Sequence, residues 1–205
     1  MRWRGDRQST NIEDRSGSGG RKVAAGGGIG VFLIALIVFF ISGGDLSTVT
    51  DTLGGGITPA TYETENVSSK EYTDEKEFAA VVFAHLEDYW NEEFDKLEQP
   101  YQNPKLVLFS DSVNSACGQA SSQVGPFYCP ADQNVYLDLS FADELSHNYG
   151  ATGDYAMAYV IAHEVGHHVQ NELGISAQLD KIRNRVSETE YNKYSVRLEL
   201  QADYL

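Results

Sequence analysis

Three observations predict an α+β domain behind one membrane-spanning helix. An uncharged apolar run lies near the start of the chain, a long amphipathic helical pattern follows it, and two short strand patterns then precede a series of helices. The apolar run is "VAAGGGIGVFLIALIVFFISGG". It holds 19 residues from Val23 to Ile41 without a charge, close to the roughly 20 that span a bilayer as a helix. A signal peptide would have a shorter apolar stretch and a small-residue cleavage site, and a core helix would be interrupted by polar residues. The sequence therefore predicts a basic cytoplasmic head over residues 1–22, a transmembrane helix over 23–42, a flexible Gly/Ser/Thr-rich linker over 43–72 and a folded domain over 73–205. Arg2, Arg4, Arg7, Arg15, Arg21 and Lys22 outnumber Asp6, Glu13 and Asp14 in the head, which sets the expected orientation: N-terminus in the cytoplasm, domain outside it in the periplasm or beyond.

Within the domain, "TDEKEFAAVVFAHLEDYWNEEFDKLEQP" opens on Thr73, placed to cap, and has acids in its first turn. Phe78, Val81, Val82, Leu86, Tyr89, Trp90 and Phe94 fall on a helical period that ends before Pro100. Lys105 to Phe109 reads as a strand between turn formers. Residues 134–140 alternate, with Val135, Leu137 and Leu139 on one face and Tyr136, Asp138 and Ser140 on the other, so a half-buried strand is expected there. A long helix follows from Asp154 to Leu173, stopped by Gly174. Ser176 is placed to cap a further helix through Val186, and Thr189 another to the end of the chain. The net charge of -15 argues against nucleic acid, which the acidic body would repel. The two cysteines, Cys117 and Cys129, sit in a Gly/Ser/Pro-rich stretch and match neither a zinc ribbon nor a redox C-x-x-C pattern, so a disulfide is expected.

The chemistry lies in "AYVIAHEVGHHVQNELG". On a helix, His163 and His167 share a face four residues apart and can aim ring nitrogens at one point, with Glu164 alongside. This is H-E-x-x-H, in which the imidazoles bind zinc and the glutamate acts on its water. Met157, Ala158, Ile161, Ala162, Val165, Val169 and Leu173 supply an apolar face, and Gly166 within the motif implies a close approach by another element. The extended pattern with a third histidine is absent, since Gln170 and Leu173 stand where it needs Gly and His. Glu199 in "ELQAD" is the expected third ligand of a site holding one zinc per chain with an open fourth position. Asp203, one turn on, is expected to accept the far N–H of a ligand histidine. His168 points about 100° away from His167 and is not expected to bind metal.

"AHEVGHHVQ" followed by "ELQAD", preceded by "ASSQVGPFYCPADQNVYLDLSF" and by the head "MRWRGDRQSTNIEDR", resembles the bacterial neutral zinc metallopeptidase family over nearly the whole chain. The resemblance implies a zincin-like, gluzincin-type fold with a membrane anchor, metal ligands at His163, His167 and Glu199, and Glu164 as catalytic base. It also implies that the last helix continues past Leu205. The expected reaction is hydrolysis of peptide bonds in a peptide or protein substrate, with residues 134–140 as a sheet edge on which that substrate could pair. Tyr155, Tyr159 and Tyr194 are the nearby candidates for stabilising the oxyanion. The competing reading is a non-catalytic, membrane-anchored binding or scaffold protein with structural zinc. Glu164 argues against it, because a closed site has no use for an unliganded carboxylate.

Overall fold

A computed structural model of the chain describes residues 2–16, 72–149 and 154–205. Its elements are β1 (Ile12–Asp14), α1 (Thr73–Lys96), β2 (Lys105–Phe109), β3 (Ser112–Ser115), β4 (Gly118–Ser121), a 3-10 turn (Ser122–Val124), β5 (Phe127–Cys129), β6 (Asn134–Asp138), α2 (Phe141–Tyr149), α3 (Asp154–Glu172), α4 (Ile175–Arg183) and α5 (Glu188–Tyr204). The architecture is α+β with a small sheet, as the order of patterns implied. Four strands run β1-β2-β6-β5, and β3 and β4 form a separate antiparallel hairpin. The pairs β1–β2 and β2–β6 are parallel, while β5 runs antiparallel to β6.

Alternate residues of the two central strands feed two cores. Leu106, Leu108, Val135 and Leu137 face α1 and α3, where they meet Phe83, Phe94, Ile161 and Val165. Val107, Phe109 and Tyr136 face the hairpin, packed with Val113 and Ala120. This explains why β6 is buried on both faces instead of half-buried: Tyr136 stacks on Phe127 at 4.6 Å between ring centroids and Asp138 is 1 % exposed. It also corrects the placement of an open edge. β6 lies between β2 and β5 in mid-sheet, so its backbone donors and acceptors are taken and it offers no extended peptide a place to pair. The strand at that end of the sheet is β5.

The membrane arrangement is corrected as well. Among the described residues no helix is long and apolar enough to cross a membrane. The expected span at 23–42 and residues 43–71 of the expected linker lie outside the described residues. The head is not held apart from the domain by a bilayer. Ile12, Glu13 and Asp14 pair with Leu106, Val107 and Leu108 of β2, so head and domain share one sheet, and a single crossing between them would put the partners on opposite sides. The predicted localisation, cytoplasmic head and extracytoplasmic domain, therefore fails. Its charge argument fails for a physical reason: the basic residues answer acids of the domain rather than a membrane surface. Arg4 pairs with Asp74 at 2.8 Å and Arg7 with Asp88 at 2.7 Å, while Lys76 of α1 pairs with Asp14 at 2.7 Å. Trp3 adds an edge-on contact to Phe78 and donates its indole N–H to Asp154 at 3.0 Å.

Smaller differences concern caps. α1 begins at Thr73 with Tyr72 in the capping position and no side-chain cap, and α4 follows Gly174, again without one. Ser187, rather than Thr189, caps α5 by accepting from the Glu190 N–H at 3.3 Å. The expected disulfide between Cys117 and Cys129 is formed and ties the start of β4 to the end of β5.

Candidate metal centre

α3 carries the motif through the middle of the domain, with Met157, Ile161, Val165 and Val169 buried in the core. α5 crosses it at Gly166. A Cβ added there would meet the backbone oxygen of Ala202 at 2.8 Å and its Cα at 3.1 Å, so only glycine permits this approach. The close approach expected from the sequence is thus made by α5, and Ala202 lies between the two acids of "ELQAD". Glu199 and Asp203 arrive one on either side of that contact, at the histidines of α3.

His163 Nε2 lies 3.2 Å from His167 Nε2, and Glu199 Oε2 lies 3.4 Å and 3.3 Å from the two nitrogens. Nitrogen and oxygen ligands about 2.0–2.1 Å from a tetrahedral zinc stand roughly 3.3 Å apart, so this near-equilateral triangle has the spacing of three ligands around one ion. The donor set also fits, two imidazoles and a carboxylate with Glu199 Oε2 buried and, among the described residues, without a hydrogen-bond partner. Among the described residues, His163, His167 and Glu199 are the group of three or more candidate donors that could hold a metal ion.

The far nitrogens are both held. His163 Nδ1 is 2.7 Å from Asp203 Oδ1, which also accepts from the Tyr159 hydroxyl at 2.5 Å. His167 Nδ1 is 3.0 Å from Gln170 Oε1, and the Gln170 amide donates to the Leu198 carbonyl at 2.6 Å and to Gln201 Oε1 at 3.2 Å. A carboxylate or amide oxygen only accepts, so Nδ1–H donates in each case and both Nε2 lone pairs face the triangle. Burial disfavours the charged form of His163, but the neighbouring carboxylates of Asp203 and Glu199 outweigh this and raise its pKa to about 10. His167 is raised as well, against its burial, by Glu199 and Glu164. Glu199 is lowered to about 2, its burial outweighed by the two histidines.

Glu164 is 2 % exposed, and burial pushes its pKa up while His167 and His163 pull it down. The Tyr128 backbone in β5 lowers it too, by less than the histidines do. His163, Glu164, His167, Glu199 and Asp203 therefore meet where the sequence brought them together.

The sequence model of the family described as "Putative neutral zinc metallopeptidase" matches residues 1–205. The chain belongs to that family. A protein of Escherichia coli (strain K12), "Uncharacterized protein YpfJ", is 42% identical over 208 residues, covering 99% of this chain and 72% of that one. "Uncharacterized protein Mb2605" of Mycobacterium bovis and "Uncharacterized protein Rv2575" of Mycobacterium tuberculosis are each 44% identical over 104 residues, which is 50% of this chain and 34% of theirs. No solved structure matches.

In this member of the zinc metallopeptidase family two supports escaped sequence reasoning. Gln170 stood out only as a departure from another pattern, although its position three residues after His167 is the helical spacing that lets side chains meet. Tyr128 lies in a strand of three residues, too short to show a period. Of the tyrosines considered for the oxyanion, Tyr155 is 76 % exposed, Tyr159 is bonded to Asp203, and the ring of Tyr194 lies under the Arg197 guanidinium.

Proposed function

We propose that the domain is a zinc-dependent peptidase in which His163, His167 and Glu199 hold one zinc ion and Glu164 is the general base. The observation that carries this reading is the triangle of three donor atoms, 3.2–3.4 Å apart, drawn from two helices separated in sequence. Asp203 and Gln170 support it by fixing the tautomer of each histidine. When bound, zinc would act as a Lewis acid, polarising a peptide carbonyl and lowering the pKa of the attacking water towards neutrality.

The residues of the chain do the rest. Glu164 takes a proton from the attacking water at its carboxylate and returns it to the leaving amine. Its burial favours this, because a carboxylate whose pKa is raised holds the proton longer between the two transfers. β5, the strand at the end of the sheet and alongside Glu164, replaces β6 as the backbone on which an extended substrate would pair.

The test is metal content and cleavage of an unstructured protein, measured side by side for the full chain and for Glu164→Gln. The wild type should bind one zinc per chain and hydrolyse the substrate. The variant should keep the metal and lose roughly 10²–10⁴-fold in kcat. Equal cleavage by the two proteins would remove Glu164 as base, and absence of stoichiometric zinc would remove the site.

A further inference from the structure

His168 follows the second motif histidine directly, yet it turns away from the metal centre and is 0 % exposed. Its ring is fully engaged. Nε2 lies 2.7 Å from the Gln102 carbonyl oxygen and Nδ1 3.1 Å from the Tyr128 hydroxyl. A carbonyl only accepts, so Nε2 carries the proton, and the lone pair left on Nδ1 accepts from the tyrosine O–H. The rings of Tyr101 and Tyr128 stand edge-on to the imidazole at 5.6 Å and 5.4 Å. One side chain therefore joins three pieces of the molecule: α3, the connection that leads into β2, and β5.

Glu164 and His168 are four residues apart and share a face of α3, the face laid against β5. Tyr128 is held from that face by its hydroxyl, bonded to His168, and its backbone lies near enough to Glu164 to lower the pKa of that carboxyl. Glu164 must exchange protons during the proposed reaction, whereas His168 is left to hold the strand. β5 is short, three residues paired on one side only among the described residues, with the Phe127–Tyr136 stack and the disulfide at Cys129 as further restraints. A strand so lightly held needs a fixed point on the helix if its backbone is to stay in register with the base.

We propose that His168 is a positioning residue, which sets the register of β5 on α3 and so holds the Tyr128 backbone against Glu164. Its kinetic consequence rests on the peptidase reading above; its structural consequence does not. His168→Phe keeps a ring in the core but removes both hydrogen bonds. His168→Asn keeps an acceptor oxygen near the place of Nδ1, and Tyr128→Phe removes the hydroxyl alone.

The experiment is amide hydrogen exchange of the zinc-loaded full chain, with zinc stoichiometry and kcat measured on the same samples. In His168→Phe and Tyr128→Phe, the amides of residues 127–129 should exchange at least about tenfold faster while those of β2 and β6 keep their rates. Zinc content should be unchanged and kcat should fall at least about tenfold, because the base and the substrate-bearing strand no longer keep their relative position. His168→Asn should recover most of both losses. Unchanged exchange in β5 would overturn the proposal, as would an equal rise across the whole sheet, which is the signature of lost core packing. A loosened β5 with unaltered kcat would overturn its kinetic part. If the wild type cleaves no peptide, the peptidase reading falls while the exchange measurement still decides the role of His168.

Discussion

Glu87 and Glu199 are both glutamates turned inward from a helix, and their hydrogen-bond accounts are opposite. Glu87, on α1, receives the Ser9 hydroxyl at 2.6 Å and the Asn11 amide at 2.7 Å on one oxygen, and Arg7 at 3.3 Å on the other. Glu199, on α5, has a buried oxygen with no hydrogen-bond donor of its own, set between two histidine nitrogens at longer range. The first cluster is complete and locks the head to the domain. The second leaves a carboxylate oxygen facing two imidazoles, the arrangement that the proposed metal site calls for. Buried polar groups are nearly always satisfied, so what distinguishes Glu199 is that its donor-free oxygen sits within ligand spacing of two imidazole nitrogens.

The sharpest way to break this contrast is to separate α5 from α3. Gly166→Ala puts a methyl group 2.8 Å from the Ala202 oxygen, a backbone atom that cannot swing aside, so α5 must retreat and take Glu199 with it. Zinc affinity, read by competition with a chromophoric chelator, should fall by at least about 100-fold, beyond the loss expected from disturbing a supporting residue. Retention of full affinity would mean that Glu199 is not a ligand.

The complementary change is Glu87→Ala. It strands the donors of Ser9, Asn11 and Arg7 in a half-buried seam, and urea unfolding should show a loss of about 2–3 kcal/mol. Zinc stoichiometry should not move. A joint loss of metal and stability would show that the two clusters are one cooperative unit.

Glu144 offers the smallest and most refined test. Burial, and then the charge of Asp138, raise its pKa to about 7 from an ordinary 4.5. The folded chain therefore binds this proton more tightly than the unfolded one between those values, and stability declines as pH rises from 4.5 through 7. Glu144→Gln should match the wild type near pH 4.5 and exceed it at pH 8 by about 1 kcal/mol, once solvent screening of a partly exposed side chain is allowed for. Thermal unfolding at the two pH values measures it, and a variant less stable at pH 8 would reverse the sign.

How much of this was legible in the sequence differs between the two clusters. His163, Glu164 and His167 are close in sequence, and the helical period alone brings them together. Glu199 and Asp203 were legible because a site with two histidines needs a third donor and these acids share a helix face. Gln170 was not, because an amide has no distinctive preference at that spacing. The Glu87 cluster was wholly hidden: its partners lie in a head whose charges read as a membrane signal, and β1 is only three residues long. The helices and the central strands of the domain followed from periodicity, whereas the hairpin β3–β4 and strand β5 are too short and too polar to show one. β6 looked half-exposed because alternation reveals two faces without revealing that a hairpin covers the second.

The parallel pairing of β1 with β2 has a consequence during synthesis. Ile12 must wait for Leu106 to leave the ribosome before it finds its register. At roughly 5–20 residues per second that is a delay on the order of 5–20 seconds, during which β1 stays without its strand partner. Birth order thus leaves the oldest strand of the sheet among the last to be stitched in.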